Sequence, residues 1–374
     1  MRHQHLFAAL MIVTAPVIAH DSDQSKGEFQ PATYCVFEIG RLTELPPGEI
    51  SLDVRAINNR NQIVGWTALA GVPPLHPFIW DRRYGMRDLG SLPGHANGIA
   101  ADINDAGTVV GEATDFATGQ SLAFTWTRRT GMRELDVSLG GVDSVATGIN
   151  RFGQIAGTSQ TGAGDFHALL RDVNGDVLDL GALPDGSGSS SATAVNDRGQ
   201  VVGTRGPRGQ ITEGFVWDER HGMQPLIEDP PPFFVPFPLG INNHGVVVGE
   251  VLGTDPTRAF RWTRREGLQD LGALSDLDTH YTSARAINRW GTIVGGSQTP
   301  SGLVHAFVWN RRTGMRDLNE LIDPGSELPS QAVLLVAQAI NDFGSIALIG
   351  FVPGEESQRG FLLEPRRHSD KACR

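Results

Sequence analysis

One ten-residue stretch reads Asp102-Ile103-Asn104-Asp105-Ala106-Gly107-Thr108-Val109-Val110-Gly111. Its apolar ends are typical of β-strands, and its polar centre is typical of a tight turn. Asn at the first turn position and Gly at the fourth suit a type I turn followed by a left-handed residue, which is a common connection in β-hairpins. The stretch therefore predicts two antiparallel strands joined by a short turn.

The same Ile/Val-Asn-x-x-Gly pattern recurs along the whole chain. The first six asparagines are spaced 46 residues apart and the last interval is 53 residues. The first copy has Asn61 in place of the glycine, and Asn is the other residue that tolerates a positive φ. A fixed period of this length indicates a repeat architecture. The seven asparagines are Asn58, Asn104, Asn150, Asn196, Asn242, Asn288 and Asn341.

Each of the first six repeats contains four predicted strands. In the second repeat the hairpin is followed by Leu122-Ala123-Phe124-Thr125-Trp126, which alternates as a half-buried strand does, and by a fourth strand from Gly131 to Leu135. Four short strands in about 46 residues match one blade of a β-propeller. Fourth strands are predicted to begin near Gly85, Gly131, Gly175, Gly222, Gly267 and Gly314.

The seventh repeat ends after its third strand, Gly360-Phe361-Leu362-Leu363. The missing strand is supplied by Tyr34-Cys35-Val36-Phe37-Glu38-Ile39-Gly40, because a ring of sheets closed in this way leaves no exposed edge. The sequence thus predicts an all-β, seven-bladed propeller with four antiparallel strands per blade, closed by the N-terminal strand.

The predicted closure of the ring also affects the two cysteines, Cys35 and Cys373, which lie far apart in sequence, near the two ends of the chain. In the closed ring they come within reach of each other, and in an oxidising compartment they would form a disulfide. The alternative is two free thiols at mobile chain ends.

The N-terminal residues predict the compartment. Arg2, His3 and His5 precede an apolar run that ends in Val17-Ile18-Ala19, as in a cleavable signal peptide. The run is short and contains Pro16, so no integral membrane segment is predicted. We expect a signal peptide at 1–19, a disordered linker at 20–33, one propeller domain at 34–365 and a tail at 366–374. The protein is predicted to be secreted, either to a periplasm or outside the cell.

Composition and motifs exclude several functional classes. With 31 Lys+Arg against 42 Asp+Glu, the net charge of −11 disfavours nucleic acid as a partner. The sequence has no nucleophile elbow, phosphate loop, paired thiol ligands or EF-hand loop, so no catalytic residue and no cofactor is predicted. His76, His167 and His305 open third strands of separate blades, so no metal site is predicted.

Three recurring segments resemble a known family. His305-Ala306-Phe307-Val308-Trp309, Gly85-Met86-Arg87-Asp88-Leu89-Gly90 and the hairpin from Ala194 to Gly203 are similar to the repeats of the HAF-type extracellular repeat family. The similarity covers roughly residues 34 to 365 and implies a secreted β-repeat protein with no assigned activity. The chain departs from the pattern at Ala168-Leu169-Leu170, where the Trp is missing, and at Leu348, which replaces a Gly.

The two rims of the predicted disc differ. One rim carries the Asn-x-x-Gly turns and the doublets Arg82-Arg83, Arg128-Arg129, Arg264-Arg265 and Arg311-Arg312, which form either an anion-binding ring or solvated turns paired with acids such as Asp105 and Asp197. The other rim carries connections of variable length, where a rigid scaffold normally places recognition.

Two variable connections contain candidate ligand-binding residues. The segment from Pro230 to Pro238 has little strand character and concentrates Phe233, Phe234 and Phe237, which form a contact patch or else cover the adjacent blade. The second connection is the densest polar cluster, which would suit a lyase or hydrolase but is also typical of a solvated loop. It comprises Asp276, Asp278, His280 and Tyr281.

These observations favour a secreted, non-catalytic and monomeric binding scaffold that recognises an extracellular glycan or protein through the variable-loop face. The alternative is a propeller-type polysaccharide lyase or glycoside hydrolase. A second alternative is a structural component of a cell surface or matrix.

Overall fold

The computed structural model describes residues 33–42, 50–69, 72–275, 281–326, 332–354, 358–366 and 373. The predicted signal peptide and the linker up to residue 32 lie outside this part of the chain. The described residues form 28 strands and one short 3₁₀ helix, Leu318–Leu321. The strands make seven antiparallel sheets of four, which confirms the predicted seven-bladed propeller.

The strands follow one another in chain order within each blade. Blades one to three contain β2 (Ile50–Ile57), β3 (Ile63–Leu69), β4 (Val72–Asp81), β5 (Gly85–Asp88), β6 (Asn97–Ile103), β7 (Val109–Thr114), β8 (Ser121–Thr127), β9 (Gly131–Glu134), β10 (Gly140–Ile149), β11 (Ile155–Thr161), β12 (Phe166–Arg171) and β13 (Val177–Asp179). Blades four to six contain β14 (Ser189–Val195), β15 (Val201–Gly206), β16 (Glu213–Asp218), β17 (Gly222–Pro225), β18 (Val235–Ile241), β19 (Val247–Leu252), β20 (Arg258–Thr263), β21 (Gly267–Asp270), β22 (Thr282–Ile287), β23 (Ile293–Gln298), β24 (Val304–Asn310) and β25 (Gly314–Asp317). Blade seven contains β26 (Val333–Ile340), β27 (Ile346–Phe351), β28 (Gln358–Pro365) and β1 (Tyr34–Glu38).

The ring closes as the sequence predicted. Strand β1 pairs antiparallel with β28, with Tyr34 opposite Pro365. A disulfide joins Cys35 and Cys373, whose Cα atoms are 5.3 Å apart. The first strand of the described chain therefore completes the last blade and is covalently tied to the C-terminal end.

The signature asparagine caps its own turn. In the fourth blade, Asn196 Oδ1 accepts hydrogen bonds from the backbone N–H groups of Arg198 and Gln200, both at 3.0 Å. Gly199 has a φ of 71°, and Asn61 takes the same left-handed conformation in the first blade with a φ of 57°. These observations confirm the predicted turn and explain why only Gly or Asn occupies this position.

The same asparagines also link the blades around the axis. Each Nδ2 donates to the backbone carbonyl of the next signature asparagine, and Asn341 returns the chain of bonds to Asn58 at 3.0 Å. The other six bonds are 2.9 to 3.3 Å long. The first strands of the blades, which end at these asparagines, are therefore the innermost strands. The sequence did not reveal this continuous ring.

The hydrophobic core lies between successive blades. One cluster combines Val64 of the first blade with Phe124 and Trp126 of the second. The phenylalanine of the third strand is fully buried in six blades, and Leu169 replaces it, also fully buried, in the third blade. Burying such a side chain contributes roughly 1.5–3 kcal/mol. The tryptophans of the third strands pack into the same clusters between blades; they are Trp80, Trp126, Trp217, Trp262 and Trp309.

A β-bulge interrupts the innermost strand of every blade at one position, three residues before the signature asparagine. The bulge brings a carbonyl of this strand against the glycine of the second strand: a Cβ on Gly203 would lie 2.0 Å from the Ser191 carbonyl oxygen. Leu348 of the seventh blade has no such glycine, and its innermost strand has a second register shift between Leu334 and Val336. The third blade also has a second register shift, between Gly140 and Ser144, although it keeps the glycine, Gly157, so the loss of the glycine does not by itself explain the shift.

The expectation for the proline-rich segment at 230–238 is partly wrong. Its second half is not a loop but the start of β18, the innermost strand of the fifth blade. Pro236 and Pro238 lie within this strand, which has a hydrogen-bonded partner, β19, on one side only. Proline is tolerated there because an edge strand does not need every backbone N–H.

Candidate functional site

The predicted aromatic patch is divided by the fold. Phe233 is 84% exposed and has a φ of 68°. Phe234 packs against the core between blades four and five, as the alternative interpretation of this loop required. Phe237 is half-buried on β18. Only Phe233 therefore offers a fully open ring, and a binding role for these residues remains a prediction.

The predicted polar cluster is described only in part. Asp276, Asp278 and His280 lie outside the described residues. Tyr281 directly precedes β22, and its hydroxyl accepts a hydrogen bond from Arg285 Nη2 at 3.3 Å. This contact points to a different group of residues nearer the axis.

The bulge position holds a threonine in blades three and four, Thr147 and Thr193, and a longer polar side chain in three other blades. The longer side chains are Arg55 in the first blade, Arg285 in the sixth and Gln338 in the seventh. A bulge leaves one residue unpaired and changes the direction of its side chain. The repeated bulge therefore places side chains of different blades around one axis.

Asp53 connects this group. Its carboxylate forms an ion pair with Arg55 Nε at 2.9 Å and accepts a hydrogen bond from Gln338 Nε2 at 3.2 Å. Burial raises the pKa of Asp53, and the charges of Arg55 and Arg285 act in the opposite direction. Residues of blades one, six and seven are thus electrostatically coupled.

Glu112 extends the group into the second blade. Burial raises the pKa of Glu112, and Arg55 opposes this effect. We call the six residues Asp53, Arg55, Glu112, Tyr281, Arg285 and Gln338 the axial cluster. It lies along the inner wall of the ring: Asp53 is in the middle of β2, and Tyr281, which precedes β22, is the member nearest the variable-loop face.

The axial cluster has unused hydrogen-bonding capacity. Arg285 Nε is buried and has no hydrogen-bond partner within the described part of the chain. Native proteins rarely leave such a donor unpaired, because its desolvation costs about 1–3 kcal/mol. The cluster therefore combines cations, carboxylates of raised pKa and an unpaired buried donor, a combination typical of functional sites.

The three strand-opening histidines have a structural partner. Each Nδ1 contacts an aspartate of the fourth strand in its own blade: His76 with Asp88 at 2.7 Å, His167 with Asp179 at 2.9 Å and His305 with Asp317 at 2.6 Å. In the described residues no cluster of three or more His, Cys, Asp or Glu could hold a metal ion. Also within the described residues, no helix has the length and apolar character needed to cross a bilayer.

The arginine doublets do not pair with the acids that the sequence suggested. Arg264 contacts Asp218 at 3.2 Å and Arg311 contacts Glu266 at 2.7 Å. Asp105 instead accepts hydrogen bonds from Asn59 of the neighbouring blade. Arg82 contacts Glu364 at 3.4 Å, so in the described residues three of the four doublets form ion pairs with the preceding blade, and none of these pairs uses Asp105 or Asp197.

Of the six axial residues, only Tyr281 was predicted from the sequence. A signal was present, because Arg55 and Arg285 are arginines at the same repeat position within otherwise small or apolar strands. That signal could not be interpreted without the bulge, since simple strand alternation does not place this position toward the axis.

Comparisons with known proteins concern the fold. No family model matches the chain, and no curated protein matches it. Among solved structures, virginiamycin B lyase from Staphylococcus aureus is 13% identical over 89% of this chain and 100% of its own, with a TM-score of 0.49. A post-proline cleaving enzyme from Rickettsia typhi is 9% identical over 82% of this chain and 50% of its own, with a TM-score of 0.49. TolB from Acinetobacter baumannii is 16% identical over 58% of this chain and 52% of its own, with a TM-score of 0.42. The chain thus matches about half the length of the last two, and at these identities the likeness is one of fold alone.

Proposed function

We propose that this protein is a non-catalytic, extracellular scaffold that binds a glycan at the axial cluster, which the glycan reaches from the variable-loop face. The observation that carries the proposal is the convergence of polar side chains from blades one, two, six and seven. Hydroxyl groups of a sugar are both donors and acceptors. Asp53 and Glu112 can accept from them, while Arg55 and Arg285 can donate.

Location and family belong to the same proposal. The disulfide between Cys35 and Cys373 supports an oxidising compartment, where such bonds persist. The blade signatures support membership of the HAF-type repeat family, which implies secretion. We propose on this basis that residues 1–19 are a signal peptide, and that the mature protein is a monomer.

The test is a glycan array probed with the oxidised protein, followed by titration of the best-bound oligosaccharide. We expect Arg55→Ala and Arg285→Ala each to weaken binding by about tenfold, as truncation of a central arginine in a binding site does. Arg151→Ala is the matched control, because Arg151 is an exposed arginine of the opposite face. Undiminished binding in both axial variants would contradict the proposed site.

One observation favours a second candidate function. A carboxyl whose pKa is raised by burial can act as a general acid, and both Asp53 and Glu112 have this property. A lyase or glycoside hydrolase would release shorter oligosaccharides from the bound glycan. Chromatography of the glycan after incubation distinguishes the two functions. Release of shorter oligosaccharides by the parent but not by Glu112→Gln would support the enzyme, whereas a glycan of unchanged length would support the binding scaffold.

A further inference from the structure

A groove on the opposite face of the disc has a separate chemistry. It lies between blades five and six, encloses about 440 Å³ and is lined by Trp290, Arg289, Arg265, Arg311 and Glu266. The turns that form it follow β20, β22 and β24, so they belong to the face of the signature asparagines. This groove is therefore distinct from the axial cluster.

The groove is lined by four arginines and one carboxylate, Glu266; Arg289 is paired with Asp342, which does not line the groove, at 3.8 Å, and the other three arginines share Glu266. Glu266 accepts hydrogen bonds from Arg261 Nη1 at 3.0 Å, Arg265 Nη2 at 2.9 Å and Arg311 Nη2 at 2.7 Å. Arg265 and Arg311 remain 86% and 63% exposed. A guanidinium has five N–H donors in a planar fork that matches a carboxylate, so both residues keep donors for an anionic ligand.

Trp290 supplies a flat apolar surface beside these cations. Its indole is 71% exposed, although its Nε1 is held by the Asp342 carbonyl at 2.9 Å. Arg289 stacks on the ring, with its guanidinium carbon 4.5 Å from the ring centroid. An exposed ring fixed in this way can stack against the C–H groups of a pyranose, because the aromatic face is electronegative.

The two features together select one class of ligand. We propose that this groove binds a uronate residue of an acidic polysaccharide, with the carboxylate on Arg265 and Arg311 and the sugar ring on Trp290. A neutral sugar would leave the excess positive charge unmatched. A nucleic acid would need a longer track of positive charge than one groove of a chain with a net charge of −11 supplies.

The experiment is calorimetric titration of the oxidised full-length mature protein with tetragalacturonate. Trp290→Ala and Arg311→Gln should each weaken binding by about tenfold, and added salt should weaken it further. Phe152→Ala is the matched control: Phe152 is also exposed, at 56%, and also carries a stacked arginine, Arg151, at 4.6 Å. The outer turn of its blade contains Val173-Asn174-Gly175 instead of an arginine pair, so this variant should bind within about twofold of the parent.

Several results would overturn the inference. The first is that the parent does not bind tetragalacturonate. The second is that Trp290→Ala and Phe152→Ala lose equal affinity for it. The third is that the parent binds the galactose tetrasaccharide, which lacks the carboxylates, as tightly as tetragalacturonate. Equal affinity for a DNA duplex would show a general polyanion surface and would also overturn it. A loss of tetragalacturonate binding in Arg55→Ala, with none in Trp290→Ala, would place the ligand at the axial cluster and would also overturn the inference, so failure here is distinguishable from failure of the proposed function.

Discussion

The ring of asparagine bonds makes a strong prediction about stability. Asn196→Asp preserves the size of the side chain and the acceptor oxygen that caps the turn. It removes the Nδ2 donor, which bonds the Asn242 carbonyl at 2.9 Å and Gln200 Oε1 at 2.8 Å. Gln200 can rotate its amide to donate instead, whereas the Asn242 carbonyl cannot change.

The cost follows from this one unmatched carbonyl. An unsatisfied buried acceptor costs about 1–3 kcal/mol, and here it would also face a carboxylate at a position that is only 4% exposed. We expect the free energy of unfolding to fall by about 3 kcal/mol at pH 7. The loss should shrink at acidic pH, because a protonated carboxyl regains a donor.

The assay is urea unfolding followed by tryptophan fluorescence at pH 7 and pH 4.5. Asn341→Asp tests the bond to Asn58 that closes the ring, at 3.0 Å, and should cost about as much as Asn196→Asp. Asn174→Asp, at an exposed outer turn, is the control and should cost less than about 1 kcal/mol. The reasoning is refuted if Asn196→Asp matches the parent, and closure is refuted if Asn341→Asp alone is harmless.

Three further predictions concern closure, the bulge and a buried carboxyl. Cys35→Ser should lower the free energy of unfolding by as much as about 6 kcal/mol, because the disulfide spans 338 residues; the same urea midpoint with and without a reductant would contradict this. Gly203→Ala should lower the free energy of unfolding by about 3 kcal/mol, because its Cβ would lie 2.0 Å from a carbonyl oxygen. Gly162→Ala is the control: the nearest atom to its Cβ would be 3.8 Å away, so the free energy of unfolding should be nearly unchanged in the same assay. Burial raises the pKa of Asp102 to about 6, so the protonated form stabilises the fold and that contribution is lost as the pH rises from about 4 to 6. Relative to Asp102→Asn, the free energy of unfolding of the parent should therefore fall by about 3 kcal/mol across this pH range. If the free energies of unfolding of the two proteins change with pH in parallel, Asp102 does not titrate in this way.

The sequence alone determined the architecture. The hairpin turn depends on four adjacent residues, and the need for a positive φ at Gly199 or Asn61 is local, so the turn could be recognised in every repeat. Equal spacing then gave the number of blades. The incomplete seventh repeat identified the partner of the N-terminal strand, and closure brought the two cysteines together.

Only the tertiary structure determined the contacts between different repeats, namely the ring of asparagine hydrogen bonds and the axial cluster. The sequence placed Asn196 at the first position of a turn, but its bond to Asn242 joins residues 46 apart, and no local pattern encodes that contact. Arg55, Arg285 and Gln338 lie far apart in sequence and meet because a bulge recurs where each innermost strand passes the axis. Turn conformation is governed by adjacent residues and is visible in sequence, whereas contacts across the axis depend on the curvature of the closed ring.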